Sequence, residues 1–463
     1  MRKQPSLPLG GCVMGALLLL SCGGGDHGID RYRTIQEKLL KAGLSDNGAF
    51  AYLTTLTREV GHRLSGSEGS LRAIEVTRKM LEDLECEGVG IESVMVPTWV
   101  RGPVEEAAVV APGKMQPLSI SALGGSIATP PAGIVAEVCE VHSFEELRGM
   151  GNRASGKIIF FNRPMDPAVL ETFEGYGGAV DQRASGAVEA ARAGGVAALV
   201  RSVTSAQDDV PHTGSMQYRN GVPRVPVAAV SARGANLLSA LLRREGHATV
   251  RMRLSCETLR DSPSGNVLGQ ITGCERPEEV ILVGGHLDSW DVGTGAHDDG
   301  SGCAQAIEVL RLLKKLELKP RRTVRAVLFM NEENGSRGGT AYAENPSRAR
   351  EKHVAALESD RGGFAPRAFT AEGDPTQAKR LSRWLPLFEE MGICRVMPGG
   401  SGVDVSPTVA KGAAGIGLVV ESHRYFDYHH SANDTIDKVN PRELELGAIA
   451  EALLCYLISE EGL

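Results

Sequence analysis

The chain has 463 residues, with 50 Lys and Arg against 57 Asp and Glu and a formal charge of −7. Such a length allows two or three domains of about 150 residues each, and 42% hydrophobic with 23% charged residues is the composition of an ordinary globular protein, not of a disordered or fibrous one. No Lys/Arg run and no basic cluster interleaved with aromatics is present, which argues against nucleic-acid binding.

From the N-terminus, Arg2 and Lys3 precede an apolar stretch, Leu7 to Leu20, that reads as an export signal. The stretch is short of the about 20 residues of a membrane span. It runs into Leu19-Leu20-Ser21-Cys22, which resembles the bacterial lipoprotein cleavage box. On this basis residues 1–22 are a signal peptide and Cys22 becomes the lipidated first residue. Residues 23–29, opening with Gly23, Gly24 and Gly25, form a flexible tether, and the protein is exported and held at the cell envelope by its lipid. Seven cysteines follow the leader: Cys86, Cys139, Cys256, Cys274, Cys303, Cys394 and Cys455. They are widely spaced and odd in number, unlike a zinc finger or a dense disulfide framework. Most read as buried thiols, while export would permit Cys256 to pair with Cys274.

Leu71, Ile74, Leu81 and Leu84 fall at helical spacing and predict an amphipathic helix over Ser70–Leu84. Near Gly102–Pro130 the texture turns rich in Gly, Pro and Ala, with short strands expected at Lys157–Phe161 and at the Pro-punctuated Val222–Val227. A helix over Ala184–Ala193, a Gly194-Gly195 stop and the apolar strand Val196–Val200 make a short αβ unit. Residues 115–262 are therefore read as an inserted α/β domain within a main domain made of 30–114 and 263–463. After Ser264 the apolar runs Val280–Val283, Thr323–Met330, Val354–Leu357 and Gly415–Val420 read as strands buried on both faces. Helices at Cys303–Leu316 and Pro441–Leu457 separate or follow them, so the fold class is α/β, a doubly wound, mostly parallel sheet with helices on both sides.

In open α/β sheets ligands bind beyond the carboxyl ends of the strands, and at each such end here stand metal-capable side chains. Val280–Val283 leads to Gly284-Gly285-His286-Leu287-Asp288-Ser289, with Asp298-Asp299-Gly300-Ser301-Gly302 opening the next helix. Thr323–Met330 ends at Asn331-Glu332-Glu333-Asn334-Gly335, Val354–Leu357 at Glu358-Ser359-Asp360, and Gly415–Val420 feeds His429-His430-Ser431. Taken singly, a Glu-Glu pair is usually a solvated strand end and an Asp after a strand a helix cap. Five such residues at one rim of one sheet point jointly to metal. Two Zn²⁺ ions are balanced by Asp298, Glu333, Asp360 and one hydroxide, with both histidines neutral. Metals about 3.5 to 4 Å apart activate a shared water and polarise a scissile carbonyl. Glu332, beside a ligand but with no charge to balance, is the natural general base. Asp288, two residues past His286, is placed to accept that ring's other N–H through its carboxylate.

On these motifs the chain resembles the M28 family of zinc peptidases and, within it, the carboxypeptidase Q group, over nearly all of the mature chain. The resemblance implies that Asp298 bridges both metals, that His286 and Asp360 complete one zinc and Glu333 and His430 the other, and that Glu332 is the base. It also implies a cis peptide bond between Asp298 and Asp299, a protease-associated character for the insert, and short peptides as substrates. His429 occupies the place where some related peptidases have a Tyr that polarises the substrate carbonyl; it does that work or merely packs. His297, before the bridging Asp, reads as an exposed loop histidine.

Other classes differ by recognisable features. Receptor-like relatives have lost metal ligands, whereas every ligand position is filled here, and the glutaminyl cyclase type uses one zinc and lacks a large insert. The same metal centre also serves aminopeptidases, which need a carboxylate for the substrate amine, while a carboxypeptidase needs Arg, Lys or backbone N–H groups for the α-carboxylate. Resemblance favours a carboxypeptidase or dipeptidase. Ser401, Gly402 and Asp404 lie in a Gly-rich loop that can line this pocket without telling which terminus it reads, Arg63 and Ser65 can reach the cleft although no pattern in the sequence shows it, and a homodimer is compatible with the sequence.

Overall fold

Uninterrupted apolar runs become strands only where both faces of a sheet are covered, and that is their fate here. The computed structural model describes residues 27–111, 113–373 and 375–463. The expected export signal, Cys22 and most of the tether lie outside the described residues; the last positions of that tether, 27–29, form the helical turn His27–Asp30. Eight strands build the larger sheet: β1 (Glu87–Val96), β2 (Ser262–Ile271), β3 (Arg276–His286), β4 (Arg322–Phe329), β5 (Lys352–Glu358), β6 (Pro366–Glu372), β7 (Val396–Pro398) and β8 (Ala414–Val420), in the order β1-β2-β4-β3-β5-β8-β6-β7. The central four, β4, β3, β5 and β8, are mutually parallel. On one side β2 and β1 pair antiparallel; on the other β6 runs antiparallel to β8.

Pleating sends alternate side chains to opposite faces. Ile281 and Val283 of β3, Val324, Ala326 and Leu328 of β4, and Ala355 and Leu357 of β5 enter the main core. Their neighbours Leu282, Val327, Phe329 and Ala356 enter a second cluster on the other face with Leu268, Tyr342 and Val405. Each fully buried aliphatic chain contributes about 1.5–3 kcal/mol. Helices Ser301–Lys315 and Pro441–Glu461 cover the first face, and the short helices Arg337–Glu344 and Ser406–Val409 cover the other. The local start signals act as expected: Ser67 Oγ accepts the Ser70 N–H to cap helix Glu68–Asp83, and the Asn440 side chain caps Pro441–Glu461. Among the described residues no helix is long and apolar enough to cross a membrane.

A second eight-stranded sheet lies in sequence between β1 and β2, which pair with each other, so its two ends leave from neighbouring strands. Four of its inner strands, Ile134–Val141, Ile158–Phe161, Ala197–Arg201 and Val227–Val230, are parallel, and the last three are buried on both faces. The expected insert starts at 115, yet Glu105–Ala111 already belongs to this sheet, its residues Glu105 to Val110 pairing with Thr249–Leu254. The strand expected over Val222–Val227 forms only from Val227 onward, since Pro223 and Pro226 have no N–H to give a ladder.

All seven cysteines among the described residues are free thiols. Cys256 is packed in the core of the second sheet and Cys274 is exposed on the larger one, so the pair allowed by the sequence does not form. Alkylation of the denatured, unreduced protein should therefore label both Cys256 and Cys274, and a cross-linked peptide joining them in the mass spectrum would contradict this packing.

Candidate metal centre

Because β4, β3, β5 and β8 are parallel, their carboxyl ends share one rim. His286 is the last residue of β3, Glu332 and Glu333 follow β4, Asp360 follows β5, and the segment after β8 carries His429 and His430. Asp298 and Asp299 stand just before helix Ser301–Lys315 with non-helical backbone angles, and the peptide bond between them is cis.

The Asp298 carboxylate is the centre of the arrangement. Its Oδ1 lies 3.1 Å from His286 Nε2, which is itself 3.6 Å from Asp360 Oδ1. Its Oδ2 lies 3.2 Å from His430 Nε2, which is 3.0 Å from Glu333 Oε2. An ion held at about 2.0–2.2 Å by N and O donors in a tetrahedron sets neighbouring donors about 3.3 Å apart, and the separations here, 3.0 to 3.6 Å, bracket that spacing. Glu333 Oε1 and Asp360 Oδ1 are buried without hydrogen-bond partners among the described residues. The residues thus fit two ions sharing one carboxylate. Against the cost of burial, hydrogen bonds from His286 and His430 hold the Asp298 carboxyl well below its usual range. Burial pushes Glu332 well above it; His286 opposes that rise, and Asp360, Glu333 and Asp298 add to it.

Neighbouring groups aim these side chains, not always as expected. The Nδ1 of His286 does face Asp288, but its partner, at 2.9 Å, is the backbone carbonyl; the nearest carboxylate oxygen is 3.9 Å away. The Asp288 carboxylate instead accepts the backbone N–H groups of Asn331, Glu332 and Glu333 at 2.7, 3.0 and 3.3 Å, fixing the turn that presents both glutamates. Asp299 spends its oxygens on the N–H groups of His286 and Gly302, at 3.0 and 2.9 Å. A Cβ at Gly285 would stand 2.4 Å from that carboxylate, so glycine is what lets it fit. Asp434, which sequence reasoning passed over, accepts the N–H groups of His297 and Asp298 at 2.7 and 3.1 Å. Arg63 does not reach the cleft: fully buried, it donates to the carbonyls of Gly61, Leu287, Thr294 and Gly295 and so ties down the chain before Asp298. Ser65 hydrogen-bonds Asn331 and Asn334.

His297 is not an exposed loop residue. Its ring is stacked on Phe364 at 4.2 Å and on Tyr428 at 5.4 Å, and burial lowers its pKa to about 3. His429 stacks on His430 at 3.5 Å with its Nε2 3.7 Å from Asp298, and burial together with His430 keeps its ring neutral. It packs in the site and is also within reach of an ion beside Asp298.

A cleft of about 500 Å³ opens over Asp298, Glu332, Glu333 and Asp360. One wall comes from the larger sheet and the other from the second, through Tyr176, Arg183, Ser215 and Gln217. Ser401 and Gly402 line an adjoining hollow, whereas Asp404 is buried behind it, its N–H and that of Val405 bonded to Glu358.

Residues 266–454 match the family described as Peptidase family M28. Carboxypeptidase Q of Bos taurus is 37% identical over 418 residues, 90% of this chain and 86% of that protein, and carboxypeptidase Q of Homo sapiens is 36% identical over the same shares. Among solved structures, a peptidase M28 precursor from Shewanella amazonensis SB2B superposes with a TM-score of 0.89 at 34% identity, covering 93% of this chain and 97% of that one. The zinc aminopeptidase BSAP from Bacillus subtilis, 18% identical with a TM-score of 0.64 over 88% of this chain and 94% of that one, shares the fold.

Replacing Asp288 by Ala strips three buried N–H groups of their acceptor, at about 1–3 kcal/mol each. The variant should melt well below the native protein and bind metal about 10- to 100-fold more weakly; a native melting curve with native metal affinity would show that this carboxylate does not hold the glutamate turn.

Proposed function

The chain belongs to peptidase family M28, and from that premise we propose that it is a two-zinc exopeptidase releasing residues from the carboxyl end of short peptides, dipeptides included. Peptide-bond hydrolysis follows from the family; the metal count, the terminus and the substrate length are the proposal. One observation carries it: the single carboxylate of Asp298 stands between two separate donor pairs, His286 with Asp360 and His430 with Glu333. Two zinc ions, when bound, supply a nucleophile at neutral pH and polarise the scissile carbonyl.

The chain's own residues supply the rest. Glu332 lines the cleft beside this cluster, its backbone N–H held by Asp288 at 3.0 Å, and a carboxylate whose affinity for protons is raised suits a general base. It takes the proton of the attacking water and delivers it to the amine nitrogen as the carbon–nitrogen bond breaks, so one proton moves through one carboxyl group. Asp288, Asp299 and Asp434 keep His286, Asp298 and the glutamate turn from shifting. The carboxyl-end direction is supported by the carboxypeptidase Q relatives, alike over 90% of this chain. It is also supported by the cleft, whose carboxylates, Asp298, Glu332, Glu333 and Asp360, are all committed to metal or base and leave none to hold a substrate amine.

Glu332→Gln should keep its zinc yet lose about 10²- to 10⁴-fold in turnover, and near-native activity of the purified variant, judged against a chelated blank, would dismiss Glu332 as the base. Asp298→Ala should lose both metals and His286→Ala mainly one; elemental analysis that finds two zincs per chain in the Asp298 variant would rule out the shared ligand.

A further inference from the structure

The two donor pairs at the metal centre are held in different ways. His286 ends β3 in register with Phe329 of β4, and Asp360 follows β5, so the larger sheet fixes both. His430 stands instead in the segment between β8 and helix Pro441–Glu461, with its backbone in the left-handed region at φ 58°. A residue with a Cβ disfavours that conformation, which persists only where neighbours hold it. Those neighbours come from the insert that carries the second sheet. Thr213 N–H donates to the His430 carbonyl at 2.9 Å, His212 Nδ1 lies 2.6 Å from the His429 carbonyl, and Thr204 Oγ1 donates to the Phe426 carbonyl at 2.6 Å. A carbonyl only accepts, so Nδ1 of His212 carries the proton. The other nitrogen of that ring, Nε2, is buried without a partner among the described residues. The gripping loop is itself tied down: His212 N–H donates to Ser202 Oγ at 2.9 Å, Thr213 Oγ1 to the Ala122 carbonyl at 2.7 Å, and Gly124 N–H to the Gly214 carbonyl at 2.9 Å.

We infer that His212 and Thr213 are positioning residues for the metal site of His430 and Glu333, so that an ion binds tightly there only while the insert is docked on the larger sheet. Asp298 and Glu333 come from the larger domain, and His430 Nε2 stands 3.2 and 3.0 Å from them while its own main chain is held from the opposite side. His286, by contrast, takes its partners Asp288, Asp298 and Asp299 from the larger domain. The two ions are therefore not equivalent: one belongs to the larger domain, and the other clasps the two domains together. Such coupling is reciprocal, so whatever docking adds to the affinity for the second ion, that ion adds to docking.

The inference rests on the two-zinc reading, and titration of the metal-free protein with zinc against a competing chelator separates the two. Native protein should take up two ions per chain; uptake of only one would overturn that reading and the inference with it. His212→Ala should weaken one of the two ions by about 10- to 100-fold, the loss typical when a group that aims a ligand is removed. His212→Asn, whose amide N–H replaces the Nδ1 donor, should recover most of it. The backgrounds locate the weakened ion. In His286→Ala protein, which keeps mainly the ion at His430, adding His212→Ala should weaken what remains, and in His430→Ala protein it should change nothing further. Two ions bound with native affinity by His212→Ala, or both weakened equally, would overturn the role of His212 and leave the two-zinc reading standing. Hydrogen exchange tests the reciprocal effect: zinc should slow exchange over residues 204–213 in native and His286→Ala protein and not in His430→Ala protein. Exchange there that is the same with and without zinc would overturn the linkage to docking. Should His212→Ala melt early in its metal-free form, Thr204→Val, which removes the bond to the Phe426 carbonyl in the same segment, is judged by the same titration.

Discussion

Four carboxylates, Asp298, Glu332, Glu333 and Asp360, converge on one cleft, and like charges gathered so closely at largely buried positions are tolerated only with positive charge among them. The histidines alone do not balance this: His429 is held neutral by burial, and His286 and His430 each serve two carboxylates at once. The pair of divalent cations proposed above would resolve the conflict, one at each oxygen of Asp298. The chemistry follows from the same constraint. In that proposal Glu332 is the carboxylate left over to carry a proton.

Holding so many acids together requires that each be unable to turn away. Backbone N–H groups do most of this work: three from residues 331–333 bind Asp288, two from His297 and Asp298 bind Asp434, and those of His286 and Gly302 bind Asp299. A main-chain donor is fixed by the fold and cannot adopt another rotamer, so the precision of the sheet is passed to the ligands. Arg63 is the counterpart, a buried cation that gathers carbonyls from the chain between β3 and Asp298.

The second sheet takes part in the site as well as covering it. Thr213 N–H binds the His430 carbonyl at 2.9 Å, and His212 Nδ1 lies 2.6 Å from the His429 carbonyl, so the insert grips the segment bearing both histidines. Arg101 joins Asp291, beyond β3, to the carbonyl of Ala122 in the second sheet. With Tyr176 and Arg183 forming a wall of the cleft, the cavity is shared between two sheets whose strands have no ladder in common.

The amino-acid sequence by itself carried the parallel core strands, the helices that follow them and the acids and histidines at the strand ends. Burial of both faces of a strand writes a continuous apolar run, and the residue that follows such a run stands at the rim whatever the rest of the molecule does; Val280–Val283 and His286 show this. What the tertiary structure alone decided lies in contacts between distant segments. That Asp288 uses its carbonyl on His286 and its carboxylate on the glutamate turn depends on how β3 and β4 are aligned. His297 looks like a loop histidine until Phe364 and Tyr428 close over it. His212 and Asp434 sit in no motif, and their roles arise only when the insert docks and the chain returns past His430. Periodicity is a local property written along the chain, while the partner of a buried charge is chosen by packing across it.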